Sequence, residues 1–237
     1  MRHLIRRMAR ENPTWGRRRI RAELALLGYC VAELTVARYM HRTAPRPSPT
    51  WRDFLAAHAR DIVAVDFFLV PTLTFRLLFV FVVLSHARRE LLHLNVTDHP
   101  TAIWTAQQIV EAFPDDTAPA YLLRDRDTIY GAVFARRVVG IGIREVLTAP
   151  RAPWQNPFVE RVIGSIRREC LDHFFVLNEA HLRRLLRAYV ADYNTVRPHQ
   201  ALDNNSPQPR VVEPPSGGRI IATPQIGGLH HRYQRAA

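Results

Sequence analysis

The run Leu77-Leu78-Phe79-Val80-Phe81-Val82-Val83-Leu84 constrains this chain more than any other feature. Eight consecutive apolar residues without alternation can bury both faces of a strand, and they are far too few to span a bilayer. Such a strand needs paired neighbours at its edges and a covering layer on each face. The neighbours are present. Residues 61–70, 76–85 and 90–96 read as three strands of an antiparallel meander, with Pro71-Thr72 and His86-Ala87-Arg88 as turns. The period then becomes helical. Thr101 to Phe113 reads as a helix capped by Thr101, with Trp104, Ile109, Val110 and Phe113 inward and Pro114 ending it. Residues 121–124 read as a short strand, 132–139 as a helix stopped by Gly140-Ile141-Gly142, and 144–147 as another strand. Long helices are expected over 156–174 and 179–193. The order β-β-β-α-β-α-β-α predicts an α/β fold: a mixed five-stranded sheet with helices on both faces.

Two appendages flank this core, expected over 51–196. Residues 1–46 read as three helices, over 2–11, about 15–27 with Thr14 as cap, and about 32–42. Ile20, Leu24 and Leu27 fall at helical spacing in the second, and Leu34, Val36 and Met40 are the apolar positions of the third. Helix, Gly28-Tyr29 break, helix is the order of a helix-turn-helix, and Arg17, Arg18, Arg19, Arg21, Arg38 and Arg42 crowd the segment. A plain helical hairpin is the other reading. Thr43-Ala44-Pro45-Arg46-Pro47-Ser48-Pro49 reads as a stiff linker. Residues 197–237 read as a basic tail rich in Pro and Gly, with one possible strand over 218–223.

Three acids stand out against the apolar pattern. Asp66 ends the run Ile62-Val63-Ala64-Val65, Asp125 ends Tyr121-Leu122-Leu123-Arg124, and Glu160 lies in the first turns of a helix. Their separations are 59 and 35 positions. Two strand-end carboxylates and one helix carboxylate can converge at a sheet edge. Crowded carboxylates repel and raise one another's pKa. Divalent cations relieve that repulsion, and oxygen-only donors suit Mg²⁺ or Mn²⁺. A pair of such ions supports in-line displacement at phosphorus.

These acids stand in Val65-Asp66-Phe67-Phe68, Arg124-Asp125-Arg126-Asp127 and Asn156-Pro157-Phe158-Val159-Glu160-Arg161. Further on come Ile166-Arg167-Arg168-Glu169-Cys170-Leu171 and Tyr193-Asn194-Thr195-Val196-Arg197-Pro198-His199. In combination the motifs resemble the DDE transposases of bacterial insertion sequences and retroviral-type integrases, over roughly residues 10–210. The resemblance implies an RNase H-like core and a polynucleotidyl transferase that cleaves and joins DNA strands. Asp66, Asp125 and Glu160 would bind two Mg²⁺ or Mn²⁺ ions, with Asp66 bridging both. It further implies contacts to DNA from Asn156, Arg167 and Arg168, on the helix of Glu160; the helix-turn-helix reading of the first segment adds Arg38 and Arg42. The partners would be element ends and target DNA, and the active form a homo-oligomer. Where such transposases carry Gly two positions after the second acid, this chain has Asp127. Position favours Asp125 as the ligand, with Asp127 suited to capping a turn. Relatives of this kind carry a further DNA-binding module ahead of the segment matching Met1, so a truncated or decayed copy is one expectation.

Charge agrees with a nucleic-acid partner. The 237 residues carry +12 formal charge, and all 33 basic residues are Arg, whose planar forks match phosphate oxygens. Cys30 and Cys170 lie far apart without a paired partner motif, which argues against structural zinc and suits a reducing bacterial cytoplasm. No secretory signal or membrane segment is expected. His199 and the pair His230-His231 are weak metal candidates. Two alternatives stay open: a nuclease of the same fold that hydrolyses without joining, and a non-enzymatic DNA-binding protein.

Overall fold

The computed structural model describes residues 1–12, 15–40, 49–114, 117–150 and 152–236. The chain divides into two compact units, Met1–Arg46 and Pro47–Ala237.

The first unit is three short helices: α1 (Arg2–Glu11), α2 (Arg17–Leu26) and α3 (Glu33–Tyr39). Ile5, Met8, Ile20, Leu24 and Val36 form its small core. Gly28 sits at φ +82, a left-handed position natural to glycine, and lets Tyr29 N return to Leu24 O at 2.8 Å. That motif ends α2 where the Gly28-Tyr29 break was expected. Two expected core positions are exposed instead: Leu27 (54%) lies in the turn after α2, and Leu34 (83%) on the outer face of α3. Gly16 precedes α2; the expected cap Thr14, Arg42 and the linker 43–48 lie outside the described residues. Arg17 pairs with Glu33 across the two helices at 2.5 Å.

The second unit opens with α4 (Pro49–Ala57), absent from the sequence reading; Phe54 packs edge-on to Tyr121 at 5.4 Å. Then come β1 (Ile62–Pro71), β2 (Leu77–Ser85) and β3 (Leu91–Thr97), α5 (Ala102–Ala112), β4 (Tyr121–Arg124), α6 (Gly131–Gly140) and β5 (Arg144–Leu147). α7 (Pro157–Glu169) and α8 (Glu179–Thr195) follow. The five strands form one mixed sheet ordered β3-β2-β1-β4-β5. β2 is antiparallel to β1 and β3, while β4 runs parallel to β1 and to β5. Burial on both faces explains the unbroken apolar run. Ala64, Val80 and Val82 meet Val159, Ile166, Leu182 and Tyr189 of α7 and α8 on one face. Val63, Val65, Phe81 and Val83 meet Ile109 and Phe134 of α5 and α6 on the other. Thr101 caps α5 as expected, accepting from Trp104 N at 3.2 Å.

Two expectations fail near the end of the chain. The single helix expected over 156–174 breaks at Cys170 (φ −139, ψ −68), and the His173 ring contacts the Arg168 carbonyl at 2.9 Å. A 3-10 turn, Leu171–His173, follows. The tail is not one strand but a hairpin. β6 (Ile220–Gln225) and β7 (His230–Arg235) pair antiparallel around Gly227 (φ +67) and Gly228 (φ +93). Ile226 of this hairpin is buried in the core, and His230 Nε2 lies 2.7 Å from Glu169 O.

Candidate active site

The parallel pairing of β1 with β4 ends at Ala64↔Leu123. Continued two residues, the same register sets Asp66 beside Asp125. The 59-residue separation of the two acids is therefore the register of this ladder: Asp125 directly follows β4, while Asp66 lies within β1 just beyond its pairing with β4, still paired to Val82 of β2. Alternation gives Asp66 the face of Ala64 and Phe68, the face covered by α7. Glu160 comes from the first turns of α7. Asn156 precedes that helix and Pro157 occupies its first position, where a missing N–H costs nothing. Asn156 is buried, and its Nδ2 donates to Val65 O at 3.3 Å. It thereby ties the start of α7 to β1 one residue before Asp66. Its Oδ1 is buried without a hydrogen-bond partner among the described residues.

Asp66, Asp125, Asp127, Asn156 and Glu160 line one cleft of about 390 Å³, together with Arg126, Thr148 and Ala149. Asp66 is the most enclosed of the acids in this cleft. Burial pushes its pKa up to about 7; the Phe67 amide, 2.8 Å from Oδ1, pulls it down, and the charges of Asp125, Glu160 and Asp127 raise it further. Burial also raises Glu160. Beneath the acids, Tyr130 is held well above its ordinary value by burial and by the charges of Asp66 and Asp125. Asp125 Oδ1 accepts from Asp127 N at 3.1 Å. Asp127 accepts from Ile129 N at 3.0 Å and caps the turn Thr128–Tyr130. The donors are all oxygens, a set chemically suited to Mg²⁺ or Mn²⁺. Among the described residues no three His, Cys, Asp or Glu side chains form a ready-made ion-holding group.

Arg124 is a contributor that sequence reading overlooked. Its side chain is buried between Glu145 (2.7 Å) and the Tyr130 ring (4.9 Å), and its NH1 donates to Asp125 O at 2.9 Å. The only sequence signal was a charged residue next to the acid in a short apolar strand. Of the residues expected on DNA, Arg168 is exposed on α7 and Arg38 is exposed in the first unit. Arg167 lies over the Phe68 ring (5.3 Å) and donates to Leu69 O at 3.0 Å.

Residues 141–207, which include Glu160 but neither Asp66 nor Asp125, match a family model described as an integrase core domain. Over 191 residues the chain is 28% identical to an uncharacterized 39.2 kDa protein of insertion element IS476 from Xanthomonas euvesicatoria, covering 73% of this chain and 50% of that protein. Over 66 residues it is 36% identical to an uncharacterized 31.7 kDa protein of insertion element IS407 from Burkholderia multivorans, covering 28% and 24%. The chain thus spans half or less of these curated relatives. Among solved structures, the catalytic domain of Mos1 mariner transposase aligns at TM-score 0.52 with 13% identity, covering 64% of this chain and 82% of that one. A chain of the simian T-cell lymphotropic virus intasome with PP2A regulatory subunit B56γ aligns at 0.51 with 16% identity, covering 91% and 83%. The HTLV-2 integrase core, solved in complex with magnesium, aligns at 0.50 with 12% identity, covering 62% and 93%. At such identities the structural likeness is one of fold. The resemblance to insertion-sequence transposases and integrase cores is borne out, as is the RNase H-like sheet flanked by helices. No described helix is long and apolar enough to cross a membrane.

Proposed function

We propose that this chain is the catalytic part of a DNA transposase, cutting DNA at an element's ends and joining the freed 3′-OH to a target. One observation supports this above the rest: the spacing of Asp66 and Asp125 equals the β1–β4 register, so both acids open into the cleft that Glu160 also lines. Asp66, Asp125 and Glu160 would hold two Mg²⁺ or Mn²⁺ ions. When bound, such ions polarise the scissile phosphodiester, activate the attacking oxygen and steady the leaving one. The protein's own groups prepare that event. Asp66 ionises reluctantly until positive charge arrives, because burial holds its pKa near 7. Asn156 fixes α7 to β1, and Arg124 fixes the turn carrying Asp125. Arg168 and Arg38 are free to meet phosphates. In this reading Asp127 caps its turn and leaves the ions to Asp125. The working form is a homo-oligomer on DNA in the bacterial cytoplasm.

The test is an assay with Mn²⁺ and an oligonucleotide carrying a pre-cut element end. Joined products that vanish in Asp66→Asn, Asp125→Asn and Glu160→Gln support the proposal. Hydrolysis without joining would make the chain a nuclease. DNA binding without metal-dependent chemistry would make it a non-enzymatic binder.

A further inference from the structure

α7 divides two clefts. At 100° per residue, Asn156 and Glu160 share one side of the helix, whereas Phe158, Arg161 and Ser165 turn to the other. That other side borders a second cleft, of about 480 Å³, closed by Arg89, Tyr193, Arg197 and His199. Among the described residues three arginines line it and no acid does. Arg197 is already satisfied, its Nε and NH2 bonding the Glu169 carboxylate at 2.8 and 2.6 Å. Arg89 and Arg161 have no acid in ion-pairing reach among the described residues.

Arg89 is held in place for a ligand. Its backbone takes φ +60, an uncommon conformation for a residue with a side chain. Its guanidinium carbon lies 3.2 Å from the Phe158 ring centroid, and NH1 donates to His86 O at 2.9 Å. Phe158 is buttressed in turn by the edge-on His86 ring at 4.8 Å. Burial and then the neighbouring Arg161 charge lower the pKa of Arg89, so the two cations repel across the cleft. His199 adds a buried Nε2 with no hydrogen-bond partner among the described residues, its ring edge-on to Tyr193 at 4.7 Å. Unpaired guanidinium forks around a cleft are satisfied by phosphate oxygens.

We infer that the Arg89–Arg161 cleft is a second DNA contact, binding a backbone phosphate of a strand that passes over α7 from the acidic cleft. The inference rests on the proposed reading that the chain works on DNA. It is tested without catalysis, on the whole chain in EDTA, by titrating a fluorescent duplex with salt. Arg161 is exposed, so Arg161→Gln should fold normally; Arg89→Gln is the companion variant, used if its melting temperature matches wild type. Each should flatten the log–log salt slope by about one unit, the signature of one lost phosphate contact. Pyrophosphate, as a small probe, should raise the melting temperature of wild type and not of Arg161→Gln. An unchanged slope in Arg161→Gln overturns the inference. So does pyrophosphate protection that Arg161→Gln loses while its DNA slope stays the same, since the occupant is then not DNA. A wild type that binds DNA with the expected slope but neither cuts nor joins it sinks only the transposase reading.

Discussion

Replacing Asp66 by Asn should make the metal-free protein more stable. The native pKa of about 7, against 3.8 for an ordinary Asp, means the carboxylate is disfavoured in its cleft. About three units at roughly 1.4 kcal/mol each set a ceiling of ~4 kcal/mol. Water entering the cleft screens part of this, so ~2–4 kcal/mol is expected. Asn keeps an oxygen for the Phe67 amide, now 2.8 Å from Oδ1, and removes the charge. The sign follows from linkage. A carboxyl whose native pKa is raised binds its proton more tightly when folded. Below pH 3.8 both states are protonated and nothing is lost. Between 3.8 and 7 wild-type stability falls as pH rises, and above 7 the deficit is constant. The gap between Asp66→Asn and wild type should therefore open from about pH 4 to 7 and then level. At roughly 2–4 °C per kcal/mol for a domain of this size, the plateau is ~4–16 °C. Thermal melts in EDTA from pH 4 to 9 measure it. Millimolar Mn²⁺ should then raise the wild-type melting temperature and leave Asp66→Asn unmoved, because an ion binding only the native state stabilises it. Equal melting temperatures at pH 8, or a gap that does not vary with pH, would refute the buried-charge argument. Indifference of wild type to Mn²⁺ would refute the metal site.

Asp125→Asn should abolish metal-dependent cleavage while Asp127→Asn retains measurable activity, since Asn can still cap the Thr128–Tyr130 turn; the opposite pattern in a cleavage assay would exchange their roles. Deleting residues 1–46, which hold eleven arginines, should weaken DNA binding and flatten its salt dependence, and an identical slope would deny the segment a DNA role. Gly131→Ala should destabilise by more than ~1 kcal/mol in denaturant unfolding. A Cβ there would stand 2.9 Å from the Ala102 side chain, at a backbone φ of +48.

How much of this could be read from residue order depends on the range of the forces involved. The strands and α5, α6 and α8 were legible because burial on one or two faces writes a local period. Thr101, Gly28 and Gly142 punctuate the chain through bonds only a few residues long. Asp66 and Asp125 stood out as well, because a charge closing an apolar run has few structural uses, whereas Glu160 stood out only as an acid in the first turns of a helix. Local patterns failed wherever a distant partner decided the outcome. The helix beginning at Pro157 continues by propensity past Glu169, but the chain breaks at buried Cys170 and turns back toward α8. The Gly- and Pro-rich end reads as a tail, yet it folds as a hairpin because Ile226 finds the core and His230 finds Glu169. The separation of 59 positions between Asp66 and Asp125 is visible in the sequence, but it acquires meaning only as the register of two parallel strands. The near-neutral pKa of Asp66 and the facing of Arg89 by Arg161 have no local signal at all. Desolvation and Coulomb repulsion act through space, so only the packed sheet and α7 could create them.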